Sequence, residues 1–236
     1  MNVPFVPKSV KTRLKGYAKS LRHRYNQFAH GFGLSELEAG LRKLGLRDRD
    51  IVMVHSSLDQ FEGFHGKVTD IIESLQSVVG SKGTILMPTI PFTGTAFEYI
   101  QRMKVFDVAK TPSQMGMITE IFRRTPGVLR SVHPTHSVAA WGARADELLK
   151  DHSKAQTPCG IHSPYARLNQ VDGKILLLGV GIEAMTFFHA LEEELESEMP
   201  FSPFTVSKDV RRVWRWSFSS TCHATAKSAK PSRGWE

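Results

Sequence analysis

Cysteine is nearly absent from this sequence: Cys159 and Cys222 are the only two in 236 residues. Two thiols build neither a disulfide framework nor a cysteine-based zinc site. Long apolar runs are missing too, and none approaches the roughly 18–20 residues of a membrane-spanning helix. The N-terminus has no apolar block between a charged start and a small-residue cleavage site, so no secretory leader is expected. With only 18 glycines and 41% hydrophobic residues, the chain is neither collagen-like nor compositionally disordered. A soluble protein of the reducing cytoplasm is the expectation.

Acidic residues are absent from 1–34, which holds seven Lys/Arg, and residues 207–236 hold seven Lys/Arg against Asp209 and Glu236. The net charge of +8 therefore resides in the two ends, and 35–206 carries 17 basic and 21 acidic residues. That central body has no basic stripe for nucleic acid. Three segments are expected: a basic N-terminal extension (1–33), an α/β domain (34–206) and a basic irregular tail (207–236). In the extension, Val10, Leu14, Tyr17, Leu21, Tyr25 and Phe28 recur at helical steps among basic residues. A basic amphipathic helix of this kind packs on its own domain, meets a partner, or rests on an anionic membrane surface.

The body alternates strand and helix signals. Strands are expected at Ile51–His55, Thr84–Met87, Val138–Trp141 and Lys174–Val180, the last a run of the kind buried on both faces. Helices are expected from Ser35, with a capping box to Glu38, and from Thr69 to the stop at Gly80. Others are expected over Met115–Arg124, Ala143–Lys150 and Phe187–Glu196. Such alternation implies an α/β fold, a sheet flanked by helices.

Three polar clusters follow strands, where α/β sheets bind ligands. His55-Ser56-Ser57-Leu58 offers hydroxyls and backbone N–H groups to an amide, carbonyl or phosphate oxygen, or simply makes a turn and helix cap. His133 and His136 stand in a loop rich in hydroxyls and proline. They either hydrogen-bond that loop or bind a metal, for which no third ligand stands at suitable spacing. His189 is followed by Glu192 and Glu193 at i+3 and i+4. A carboxylate there can orient an imidazole for general base work, or merely belong to a solvated helix face. No phosphate-binding Gly-rich loop and no Gly-x-Ser-x-Gly elbow occurs. Cys159 has no local base, so histidine acid–base chemistry remains.

The motifs recur in one order. They are Val54 to Leu58, Gly83 to Thr89, Phe106-Asp107 with Thr111-Pro112-Ser113, Gly116 through Glu120 to Arg124, and Arg130 to Pro134. Gly160 to Pro164, Leu176 to Val180 and Thr186 to His189 follow. From about residue 34 to 205 this resembles the aminoglycoside 3-N-acetyltransferase family of acetyl-coenzyme A-dependent enzymes. The resemblance implies an α/β fold with a mixed sheet and acetyl transfer to an amine of an aminoglycoside or another amino sugar. It implies His189 as general base with Glu192 beside it, and places His133 and Glu120 near the active site. It puts His55, Ser56, Ser57, Leu58, Thr111 and Ser113 on the acetyl-coenzyme A arm, with no metal. Lys67, Lys110 and Arg130 are candidates for the coenzyme's phosphates; Asp59, Glu62, Asp107 and Glu183 suit a cationic acceptor. Expected partners are the small-molecule acceptor and a second copy in a homodimer, with weak membrane-surface association open and no nucleic acid. The alternatives are a catalytically impaired relative that still binds coenzyme A, and a nucleic-acid or anionic-membrane binder acting through the ends. Beyond Phe204 the motifs stop, where family members usually continue into a strand-rich section.

Overall fold

The computed structural model describes Tyr25 and residues 31–102 and 105–200. The amphipathic segment expected over 8–28 (Tyr25 apart) and the tail over 207–236 lie outside the described residues. Five strands form one sheet: β1 (Ile51–Ser56), β2 (Thr84–Pro88), β3 (Leu129–Arg130), β4 (Val138–Gly142) and β5 (Lys174–Leu178), in the order β3-β4-β2-β1-β5. β1 pairs in parallel with both β2 and β5, whereas β4 runs antiparallel to β2 and to β3. The sheet is mixed, as the motif resemblance implies.

Alternation along the strands assigns the two faces. Val52, Val54, Ile85, Met87 and Ala139 point into one core with α1 (Leu34–Lys43), α2 (Val68–Val79) and, after α3 (Ala96–Arg102), α4 (Met117–Phe122). Their neighbours Met53, Leu86, Val138 and Ala140 enter a second core with α5 (Ala145–Leu149), α6 (Pro164–Gln170) and residues of α7 (Phe188–Glu194). Side chains of period two thus feed two helical layers, and the central strand β2 is buried along its whole length. Among the described residues no helix is long and apolar enough to cross a membrane.

Several boundaries differ from the sequence expectation for identifiable reasons. α1 starts one residue before Ser35, because the Glu36 carboxylate accepts the Gly33 N–H at 3.0 Å. α2 is likewise started by Asp70, which accepts the Lys67 N–H at 2.7 Å, rather than by Thr69. β5 stops at Leu178 because Gly179 turns with φ +71°, and it is an edge strand whose Ile175, Leu176 and Leu177 are only half-buried. α6 was not expected. Its signal was present in Ser163-Pro164: the serine hydroxyl accepts the Ala166 N–H at 3.1 Å, and proline suits the first helical turn.

Candidate active site

Parallel β1, β2 and β5 end on one sheet edge, and antiparallel β4 begins there, since Pro88 pairs with Val138. Consequently His55–Leu58, Thr89, the Arg130–Ser137 loop and the segment from Gly179 to His189 gather on that edge, the usual binding side of such sheets.

One half of the edge is bolted down by Arg130. Its guanidinium is buried; Nε donates to Thr89 Oγ1 at 3.0 Å and Ser137 Oγ at 3.1 Å. Nη1 donates to the Val108 and Thr111 carbonyls at 3.1 and 2.6 Å, and Nη2 to the Thr89 carbonyl at 2.8 Å. The Phe106 ring lies 5.0 Å below. Burial pulls its pKa down to about 9, with Arg123 adding to the effect. A guanidinium so committed is an internal strut, which corrects its candidacy as a phosphate anchor; Lys67 and Lys110 are exposed.

Glu120 builds a second strut. Its carboxylate accepts the Ser113 N–H at 2.8 Å and the Arg123 Nη2 at 2.6 Å, and also pairs with Arg124. Arg123 continues to the Ala109 carbonyl at 2.8 Å. Burial alone would raise the carboxyl's pKa, but the Arg123 and Ser113 hydrogen bonds outweigh it and hold it below the usual range. Thr111 accepts the Asp107 N–H on its hydroxyl, and Asp107 in turn accepts the N–H groups of Ala109 and Lys110. The loop from Asp107 to Gly116 is therefore a closed polar unit. At its end, a Cβ built on Gly116 would lie 3.9 Å from the Ser56 carbonyl, which brings Thr111 and Ser113 into the neighbourhood of the β1 terminus.

The β1 cluster divides. Ser57, whose N–H bonds to the Leu178 carbonyl at 3.0 Å, lines an open groove of about 480 Å³ with Gln60, Gly179, Val180, Gly181, Glu183 and Ala184. Leu58 opens the adjoining turn. His55 is buried, and neither its Nε2 nor the Ser56 Oγ finds a partner among the described residues. Burial draws the His55 pKa down to about 4, with the Ala184 backbone acting against it.

Three buried or half-buried histidines meet behind the edge. The His133 and His152 rings stack at 4.5 Å, and His136 meets His133 edge-on at 6.2 Å. His133 Nδ1 accepts the His136 N–H at 2.9 Å, which puts its proton on Nε2. Ser131 Oγ accepts the Val138 N–H, and because His152 Nε2 faces the Pro158 carbonyl, which can only accept, Nδ1 of the neutral ring accepts the Ser131 hydroxyl at 2.8 Å. Burial, with repulsion from His152 and His136, pushes His133 far below its ordinary range, and burial with repulsion from His189 takes His136 to about 4. The same burial takes His152 to about 3, partly opposed by the Pro158 carbonyl. All three are neutral inside the fold. Among the described residues no three metal-ligating side chains converge. His152 gave no sequence signal, because its partners lie 21 residues away in the chain.

His189 is different in kind. Its side chain is 58% exposed, and Nδ1 lies 2.7 Å from Glu192 Oε2. The i+3 spacing thus delivers the expected carboxylate–imidazole pair. His189 also lies within electrostatic reach of His136. Glu193 turns instead to the Thr157–Gly160 loop, accepting the Cys159 N–H at 2.8 Å and the Thr157 hydroxyl. It helps line a pocket of about 410 Å³ with Cys159, Ile161, Phe187 and Leu191. Burial, reinforced by Glu193 and Glu192, pushes the Cys159 thiol far above its ordinary range, so it does not supply a thiolate nucleophile.

A sequence model of the aminoglycoside 3-N-acetyltransferase family matches residues 53–229, beyond the point where the motifs stop. The chain is 33% identical over 199 residues to aminoglycoside N(3)-acetyltransferase VII of Streptomyces paromomycinus, covering 77% of this chain and 68% of that one. The solved structure of AAC-IIIb with CoASH superposes with a TM-score of 0.60 at 29% identity, over 69% of this chain and 65% of that one. AAC-VIa with bound sisomicin gives 0.62 at 32% identity, again over 69% and 65%. The chain thus spans about two thirds of the length of these relatives. Sequence match, mixed-sheet topology and the clustering of the motifs on one edge agree: the chain belongs to the aminoglycoside 3-N-acetyltransferase family.

Proposed function

We propose that this protein transfers an acetyl group from acetyl-coenzyme A directly to an amine of an aminoglycoside or related amino sugar, with His189 as general base. The observation that carries the reading is the 2.7 Å contact of His189 Nδ1 with Glu192. With Nδ1–H donated to the carboxylate, the lone pair of Nε2 is left on an exposed ring. An amine attacks a thioester only as its neutral form. The nitrogen bonds to the acetyl carbon while Nε2 takes its proton; the carbon–sulfur bond then breaks and the imidazolium returns the proton to the departing thiolate. Glu192 stabilises the imidazolium throughout. The relatives solved with CoASH and with sisomicin support this donor and acceptor class. The groove beside Ser57 fits the donor arm, because its wall is built where Gly179 passes tightly against Ser57 and Gln60 and two unpartnered buried polar atoms, His55 Nε2 and Ser56 Oγ, stand at the β1 terminus. Ser57, Thr111 and Ser113 would hold that arm. Thiol release with acetyl-coenzyme A and an aminoglycoside panel tests the proposal. His189→Ala is expected to lower turnover by about 10²–10⁴-fold, the usual share of general acid–base catalysis. Its stability should change by less than about 0.5 kcal/mol, as for most exposed side chains. Turnover within about threefold of the parent would remove His189 from the mechanism.

A further inference from the structure

α7 is seven residues long and carries His189 half-exposed on its first turn. A helix that short does not hold itself in water, so tertiary contacts must set the position of the imidazole. The apolar share comes from Phe187 and Ala190, which are buried in the second core. The polar ties from the helix to the rest of the described residues are few. Glu194 reaches Asn169 only at 3.5 Å, and Glu192 is spent on His189 itself. Glu193 supplies the others: Oε1 accepts the Cys159 N–H at 2.8 Å and Oε2 the Thr157 hydroxyl, bridging 34 and 36 residues of chain. The loop is shaped around that carboxylate. A Cβ built on Gly160 would collide with the Thr157 hydroxyl and stand 3.3 Å from Glu193 Oε2.

We infer that Glu193 is a positioning residue: by latching the Thr157–Gly160 loop to α7 it fixes the helix turn that presents His189 to the acceptor amine. The inference rests on the His189 reading. Burial raises the Glu193 carboxyl's pKa, and the Thr157 and Cys159 hydrogen bonds, with nearby His189, oppose that rise. The titratable groups around it are the Cys159 thiol, His189 and Glu196. A glutamine in its place keeps the latch, because its carbonyl accepts the Cys159 N–H and its amide donates to the Thr157 oxygen. Alanine loses both bonds.

The test is steady-state acetylation by the full chain, well below its melting temperature, with Glu193→Ala, Glu193→Gln, Thr157→Val, Gly160→Ala and His189→Ala. Glu193→Ala should lower kcat about 10–100-fold with KM for acetyl-coenzyme A within about threefold, as for a catalytic group displaced by about an ångström. Glu193→Gln should restore most of that loss. Thr157→Val, lacking one bond, should fall between, and its effect should not add to that of Glu193→Ala. Should Glu193→Ala fail to fold, Thr157→Val and Gly160→Ala carry the same expectation of a kcat loss at constant KM. A Glu193→Ala enzyme with parental kcat beside an inactive His189→Ala would overturn this inference alone. So would equal impairment of the glutamine and alanine variants, which would show that charge and not the latch matters. An active His189→Ala would overturn the general-base reading, and this inference with it.

Discussion

The two halves of the binding edge are held in opposite ways. On the β2–β4 side, Arg130 and the Glu120–Arg123 pair thread three loops together through buried guanidinium groups. On the β5 side, the half-buried edge strand leads into a seven-residue helix tied mainly by one carboxylate. Buried charge hubs are costly to assemble and costlier to break, so the first side is a rigid wall. The second side leaves the His189 imidazole exposed, as the proposed proton transfer requires. Scaffold and chemistry are thus divided between the two ends of the sheet order.

The largest effect expected from testing this division is on the wall. Arg130→Met should cost about 3–5 kcal/mol in urea unfolding, because the Val108, Thr111 and Thr89 carbonyls lose their buried donor together. A loss below about 1 kcal/mol, the level of an exposed pair, would erase the contrast between the halves.

The histidine stack between the halves should make the fold acid-labile. His133, His136 and His152 are held below the value of about 6.5 that they take in the unfolded chain. The unfolded state therefore binds more protons, and stability is full above that pH. It erodes as pH falls toward about 4 for His136 and about 3 for His152. Each histidine contributes a slope of about 1.4 kcal/mol per pH unit across its window. Denaturation midpoints measured from pH 7 to pH 4 should show this slope, and His152→Asn should make it shallower by one proton. An unchanged slope would place the acid sensitivity elsewhere, for example on Glu120, whose depressed pKa acts only at lower pH.

The smallest effect belongs to the lightly held side. In Gly179→Ala the new methyl would meet Gln60 Cβ at 2.8 Å and the Ser57 carbonyl at 2.9 Å, at φ +71°. A cost of about 1–2 kcal/mol is expected for such a residue. Because the methyl would displace Ser57 and Gln60, which line the groove, KM for acetyl-coenzyme A should increase more than kcat falls. A change confined to kcat would argue that the groove does not hold the donor.

Local spacing made part of this legible. Apolar runs marked β1, β2 and β4, since a strand covered by helices on both faces has little room for polar residues, and marked β5 as well although it is a half-buried edge strand. His189 and Glu192 stand three positions apart on one helix, so their meeting could be read before any tertiary contact was known. Glu193, one residue on, was not legible in the same way. Its partners Thr157 and Cys159 arrive from another loop, and no periodicity connects them. Arg130 reads from sequence as a candidate phosphate ligand for the same reason, because its acceptors at Thr89 lie 41 residues away. The buried stack of His133 on His152 had no local mark at all.

By itself, then, the order of residues determined the α/β class, the family motifs and the imidazole–carboxylate pair, because each depends on neighbours a few positions apart. Only the tertiary structure decided which polar groups are sealed and which face water. Desolvation, the main force on His55, His133, His152 and Arg130, is a property of what packs around a group. Packing joins segments that are remote along the chain, and so it is written in no single stretch of it.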